Sequence, residues 1–198
     1  DLVAVADLWK KRLVESAVPE LEKTLGHKIA SYSSDVELYE KAKDVDAVII
    51  STADFQHAQH ATHAVLAGKD SYCEKPLAED MYSANMLLDA VNAKRKAGFA
   101  PGAVLQVGSQ RRSGKKYAAA KDYLNSGEFG DVSYVHLAWN VNQPRRWRRP
   151  EELVKSLKKS DIDWNLWLLD RDADAYPFDP RKYLEFRLFW PFSSGIPG

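Results

Sequence analysis

Glu74, Lys75 and Pro76 stand side by side at the end of the strand-like run Ser71-Tyr72-Cys73. Pro76 disfavours helical geometry at Lys75, which imposes an extended turn from which a lysine can point into a crevice. Glu74 can hold the ammonium charged. A lysine so placed can hydrogen-bond a substrate hydroxyl and stabilise the alkoxide from whose carbon a hydride leaves to give the carbonyl. The competing reading is a surface ion pair at a turn, the commoner fate of an isolated Glu-Lys neighbour. Position along the chain decides between them.

The order of elements therefore matters. Residues 2–6 form a short apolar run closed by Asp7, as expected of a strand buried on both faces. Leu13, Ala17, Leu21 and Leu25 recur at close to helical spacing, with Pro19 expected to kink or split the segment and Gly26 to stop it. A strand over 29–31, a short helix over 35–43, a buried strand over 46–52 and an Ala-rich helix over 57–67 follow. Residues 79–97 are expected as the strongest helix, opened by acids and closed by Lys94, Arg95 and Lys96, with Met81, Ala84, Leu88 and Val91 on one face. A strand over 103–107 completes about five β/α alternations. That alternation predicts a doubly wound parallel sheet of the Rossmann-like α/β class for residues 1–112. Residues 113–198 read as part of a second, α+β unit. It contains a helix over 115–125, a long strand over 132–141, and a period-two segment over 183–190 suited to an open antiparallel sheet.

In an open parallel sheet, ligands bind beyond the carboxyl ends of the strands. Asp7 ends the first strand. A carboxylate there can accept hydrogen bonds from the hydroxyls of an adenosine ribose and repel a 2′-phosphate, favouring NAD over NADP, or it can serve as a helix cap. Ser51 and Thr52 end the 46–52 strand, with Asp54 and His57 in the loop beyond; they line a cofactor groove or cap the next helix. Glu74-Lys75-Pro76 falls on the same rim.

The stretch DVDAVIISTADFQHAQHATHAVLAGKDSYCEKPLAED is similar to the Gfo/Idh/MocA oxidoreductases, whose pattern is an apolar strand, a Thr-Pro-Asn/Asp-x-x-His loop, an Ala-rich helix and Glu-Lys-Pro. Thr52, Asp54, His57, Glu74, Lys75 and Pro76 match; Ala53 replaces the usual proline. VLQVGSQRRS, DWNLWL and DPRKYLEFRLFWPFSSG are also familiar in bacterial members. The resemblance implies NAD(P)-dependent oxidation or reduction of a sugar, polyol or related carbinol, with Lys75 near the nicotinamide. It further implies that Trp147 and Arg148 approach the cofactor, and that Gln110 and Arg111 face the active-site cleft. Two family parts are expected outside these residues: a Gly-x-Gly-x-x-Gly turn on a strand preceding Asp1, and an Asp/His dyad after a turn like Ser193-Ser194-Gly195. The 198 residues alone are accordingly expected to be an inactive fragment. Two other readings stand: glycoside hydrolysis by transient oxidation and elimination, with no net use of NAD, and a non-catalytic binding or scaffold role.

Composition narrows the remaining classes. Lys and Arg number 28 against 28 Asp and Glu, so no global field draws the chain to nucleic acid or acidic membranes. No apolar run approaches the roughly 20 residues of a membrane-spanning helix. His57, His60 and His63 lack the i, i+4 spacing of a zinc-protease helix, and no metal is expected. The lone Cys73 reads as a small buried hydrophobe, and a single cysteine fits a reducing compartment; a cytoplasmic setting is expected, with export of the full-length protein by an N-terminal signal as the alternative. The basic clusters around Trp147 and at Arg111, Arg112, Lys115 and Lys116 suit a cofactor phosphate, an anionic substrate or a solvated face. Tyr183 and Phe189, on the second face of the 183–190 segment, suggest a homo-oligomer built sheet to sheet.

Overall fold

A computed structural model describes residues 1–98, 100–138, 140, 142–193 and 195. Five short strands, β1 (Ala4–Ala6), β2 (Ala30–Tyr32), β3 (Ala47–Ile50), β4 (Asp70–Cys73) and β5 (Leu105–Val107), all pair in parallel. They form two sheets, β1-β2 and β3-β4-β5. The facing edges of β1 and β3 line one groove of about 710 Å³, where Ile49 is 76% exposed. Parallel pairing requires a crossover between successive strands, and the helices supply it.

The first crossover is α1 (Lys10–Arg12), a π turn (Leu13–Ala17) and α2 (Val18–Leu25). The sequence led us to expect a kink or split at Pro19. The chain instead stays helical, because the Val18 N–H bonds the Leu13 carbonyl five residues back and Pro19, which has no N–H, falls in the first turn of α2. Gly26 then ends α2 at φ +76°. The second helix, α3 (Asp35–Lys41), is capped by Ser34, whose Oγ accepts the Glu37 N–H at 3.1 Å. In α4 (His57–Leu66), Ala58, Ala61, Ala64 and Val65 are buried to 1% exposure or less, so this helix lies close against the sheet.

The longest helix, α5 (Met81–Lys96), is opened by Asp80, whose Oδ1 accepts the Ser83 N–H at 2.8 Å. Its inward stripe differs from the expected one. Leu87, Ala90 and Val91 are buried, while Met81 and Leu88 are 73% and 54% exposed. Successive helical residues turn by about 100°, so seating Leu87 against α4 rotates Leu88 to solvent. Burial of a side chain such as Leu87 contributes about 1.5–3 kcal/mol.

Beyond β5, α6 (Lys115–Asn125) forms as the sequence predicted but buries none of its residues. Short helical pieces follow: α7 (Glu151–Ser156), α8 (Trp164–Leu168), α9 (Pro180–Leu184) and 3-10 turns over Lys159–Asp161, Phe186–Leu188 and Trp190–Phe192. They build a second apolar cluster in which Trp164, Trp167, Leu168 and Phe192 pack on Trp9, Ala53 and Phe55 of the α/β half.

The expected antiparallel sheet is not formed among the described residues, whose strands pair only in parallel. Residues 132–138 carry no strand, and Trp139 and Val141, the end of that expectation, lie outside the described residues. Residues 183–190 are helical turns because local signals outweigh their period-two pattern. Asp179 Oδ1 accepts the Arg181 N–H at 2.8 Å, Pro180 follows that cap, and Arg181 pairs with Glu185 one turn on. Among the described residues, 183–190 therefore offer no strand face for oligomer contact. Tyr183 packs edge-on against Trp9, and Phe189 joins the same cluster. Among the described residues, no helix is long and apolar enough to cross a membrane.

Candidate functional site

The carboxyl ends of β3, β4 and β5 open on a cleft of about 790 Å³. Ser51 and Thr52 from β3, Glu74 and Lys75 from β4, and Gln110 beyond β5 line one side. The loops that carry them are tied together by hydrogen bonds. Glu74 N–H donates to the Ile50 carbonyl at 2.9 Å, and Gly108 N–H donates to the Cys73 carbonyl at 2.8 Å. Gly108 is required at that approach: a Cβ there would lie 2.7 Å from the Tyr72 hydroxyl oxygen. Tyr72 in turn reaches Glu74 Oε1 at 3.5 Å, and the Lys75 N–H reaches Glu74 Oε2 at 3.3 Å.

His57 binds the β3 loop to the β4 loop. Its Nδ1 lies 2.6 Å from the Pro76 carbonyl oxygen and its Nε2 lies 3.2 Å from that of Thr52. With both nitrogens facing backbone carbonyls and the residue buried, His57 holds the rim in shape. The Lys75–Pro76 peptide is cis. Cys73 is fully buried beneath the rim with Sγ 3.7 Å from the His57 carbonyl, and burial, aided by the charge of Glu74, pushes its thiol up to about 12. It packs; it is not a nucleophile at neutral pH.

The opposite wall comes from the carboxyl-terminal segment: Arg146, Trp147, Arg187, Ser193 and Gly195. Asp54 fastens the two walls. Its Oδ1 accepts from Arg187 Nη2 at 2.7 Å and its Oδ2 from Ser193 Oγ at 3.0 Å. Gln56 makes a parallel tie, donating through Nε2 to the Trp167 carbonyl at 2.7 Å. Trp147 has Arg146 and Arg187 over its ring, at 4.5 and 4.7 Å from the centroid.

Eight sequence-predicted residues thus meet at one cleft: Ser51, Thr52, Asp54, His57, Glu74, Lys75, Gln110 and Trp147. Pro76 borders it through its bond to His57. Three others are placed elsewhere. Asp7 does end β1, and its Oδ1 accepts the Trp9 N–H at 2.7 Å. Arg111 turns to α6, donating to the Tyr117 hydroxyl at 3.1 Å. Arg148 donates to Glu185 Oε2 at 3.1 Å rather than entering the cleft. Glu185 is itself buried, which raises its pKa, but the Arg149 N–H and the Arg181 and Arg148 guanidinium groups outweigh burial and hold it below the ordinary value. Sequence reasoning missed Arg146, Arg187 and Ser193 as cleft residues. Arg146 was submerged in a basic run and Arg187 in an apparent strand; the available signal was Asp54, a carboxylate in an apolar loop that needed a cation.

The donor set fits the nicotinamide end of a dinucleotide: hydroxyls, a lysine and an amide at the carboxyl ends of parallel strands. The 198 residues contain no Gly-x-Gly-x-x-Gly to cradle a pyrophosphate.

Comparison with known proteins gives the family. The model of the Gfo/Idh/MocA family, described as an oxidoreductase family with an NAD-binding Rossmann fold, matches residues 3–101, half of the chain. Inositol 2-dehydrogenase of Salmonella typhimurium is 32% identical over 131 residues, which are 66% of this chain and 37% of that protein. The Agrobacterium fabrum enzyme of the same name is 31% identical over 152 residues, 76% of this chain and 40% of its own. Among solved structures, a myo-inositol dehydrogenase from Lactobacillus casei in complex with NAD(H) and myo-inositol is 27% identical with a TM-score of 0.52, covering 65% of this chain and 34% of that one. The chain therefore spans about two fifths of the length of the two curated relatives. With the family model, the parallel sheet and the Glu-Lys-Pro rim in agreement, the chain belongs to the Gfo/Idh/MocA family of oxidoreductases.

Proposed function

We propose that this chain forms the cofactor-facing part of an NAD-dependent oxidoreductase that interconverts a carbinol and a carbonyl in a sugar, polyol or related compound. The observation that carries the reading is Lys75, at the end of β4, lining the cleft together with the strand-end hydroxyls of Ser51 and Thr52. NAD, when bound, supplies the hydride acceptor. Ser51, Thr52 and the 74–76 turn hold its nicotinamide end, while Asp7, at the end of β1, is the residue for the adenosine ribose. Lys75 binds the substrate oxygen and stabilises its negative charge as the hydroxyl proton passes to a general base, the role that the family resemblance gives to an Asp/His dyad outside these residues, and Gln110 orients the substrate. The walls fastened through Asp54 keep these groups at fixed separation, the condition for efficient positioning.

The reading includes a further parallel strand, bearing the phosphate-binding glycine turn, seated in the groove between β1 and β3. Two unpaired parallel edges facing one apolar groove support it. It follows that the 198 residues alone bind NAD weakly and turn over no carbinol. A reducing, cytoplasmic setting is also part of the reading, supported by Cys73 being a free, buried thiol.

The test measures NADH formation by the full-length protein carrying this sequence, over a panel of sugars and polyols. Lys75→Met is expected to lower kcat about 10²–10⁴-fold, a much larger effect than its effect on the dissociation constant for NAD. A wild-type protein that reduces NAD with no carbinol, or a Lys75→Met variant at full rate, sinks the proposal.

A further inference from the structure

The cleft carries one cation more than its carboxylates balance. Its walls hold Lys75, Arg146 and Arg187 against Asp54 and Glu74, three cations to two carboxylates. Arg187 is committed to Asp54, and Lys75 follows Glu74 directly in the chain. Arg146 makes no ion pair among the described residues. Its guanidinium lies over the Trp147 ring, 4.5 Å from the centroid. Stacking occupies the π face and leaves the in-plane N–H fork for a ligand, and that fork matches the paired oxygens of a carboxylate or phosphate.

The loop presenting Arg146 is anchored immediately downstream. Arg148 Nη1 and the Arg149 N–H donate to the two oxygens of Glu185 at 3.1 and 2.8 Å, and the Glu185 side chain is fully buried. Upstream, the Arg146 N–H closes a turn onto the Gln143 carbonyl at 3.0 Å. An arginine next to a loop segment fastened to a buried carboxylate loses less freedom on binding than one on a free loop, so more of its interaction energy appears as affinity.

We infer that the substrate of this cleft carries an anionic group and that Arg146 binds it. The inference rests on the oxidoreductase reading above and adds the charge of the substrate: a carboxylated or phosphorylated sugar or polyol in place of a neutral one. A neutral polyol leaves Arg146, an exposed residue of the cleft wall, without an ionic partner, whereas an anion pairs with its planar N–H fork.

The experiment uses the full-length protein with NAD. Initial rates are compared across aldonic and uronic acids, sugar phosphates, and their neutral counterparts such as glucose and myo-inositol; the acid and phosphate arms separate the two sources of the charge. The best anionic compound is expected to exceed its neutral counterpart in kcat/KM by at least about tenfold. Arg146→Met should lower kcat/KM for that compound by about 10- to 100-fold, chiefly through KM, at least about fivefold more than it lowers any neutral substrate. Arg146→Lys should recover only part, because an ammonium lacks the planar fork. Calorimetric titration of the same anion should show binding that weakens as salt is added and that Arg146→Met weakens by a similar factor of about 10 to 100.

Equal or better kcat/KM on neutral compounds overturns the inference. So does an Arg146→Met variant that weakens NAD binding and spares the sugar, or one that lowers both substrate classes alike. A wild-type protein that oxidises nothing in either panel defeats the underlying oxidoreductase reading instead.

Discussion

Asp35 illustrates what a single residue gains from its neighbours. It opens α3, where an acid is expected, yet its Oδ2 lies 3.0 Å from His60 Nδ1 and 2.8 Å from His63 Nδ1 on α4. An ionised carboxylate only accepts, so both ring nitrogens donate. Burial raises the Asp35 pKa, but the bonds from His60 and His63 outweigh it and hold the carboxyl well below the usual range. A depressed folded-state pKa contributes stability that is present above the unfolded value, near 3.9, and is lost as pH falls through the folded value. Asp35→Asn should therefore be less stable than wild type near neutrality, with the gap in urea unfolding free energy closing below about pH 4. A gap as wide at about pH 3 as at about pH 7 would contradict this assignment. Neither His60 nor His63 was legible as a partner of Asp35, since 25 or more positions separate them in the sequence. Lys75 was different: its neighbours Glu74 and Pro76 are local, so its turn could be read directly.

Elements were legible wherever their signals are local. Strand β3, the Ala-rich α4 and the Asp80-capped α5 all follow from apolar runs, caps and terminal glycines within a few residues. Gly102 carries such a signal further. It adopts φ +87°, and a Cβ there would lie 2.7 Å from the Val65 carbonyl oxygen and 2.9 Å from Gly68 Cα, so the turn into β5 docks backbone to backbone on the end of α4. Gly102→Ala combines a left-handed cost of about 1–2 kcal/mol with a clash that no side chain can relieve, and should lower stability by more than about 2 kcal/mol in denaturant titration. Loss below about 0.5 kcal/mol would mean the turn repacks without strain. Elsewhere local pattern misled. On α5 Val91 is buried as expected, but Leu88 was placed inward in place of Leu87, because both positions are leucine and only packing against α4 selects one. Residues 183–190 alternate like a strand, but a strand needs a ladder partner, and the Asp179–Pro180 start and the Arg181–Glu185 pair act within one turn.

For the molecule as a whole, the α/β half and the carboxyl-terminal segment share one aromatic cluster. Phe55 meets Trp167 edge-on at 5.0 Å between centroids, and Trp167 stacks on Trp164 at 4.6 Å. Trp167→Ala should cost about 3–5 kcal/mol, and because the cluster spans both parts, far- and near-ultraviolet circular dichroism should still report a single shared transition. Two separated transitions in the wild type would show the parts to be independent. By itself, the sequence determined the parallel α/β plan and the family resemblance, because caps, apolar runs and the Glu-Lys-Pro turn are contiguous. It also placed Thr52 and Lys75 on one rim, since the carboxyl ends of parallel strands must lie together. Only the tertiary structure decided the far wall of the cleft. Asp54 to Arg187 and Glu185 to Arg148 are contacts across many intervening residues, made between buried carboxylates and the arginines that neutralise them. Which arginine of the 145–149 run pairs with the buried Glu185 was decided there too: Arg148 does, while Arg146 lines the cleft. No spacing in the chain records that choice, because burial of the carboxylate fixes it.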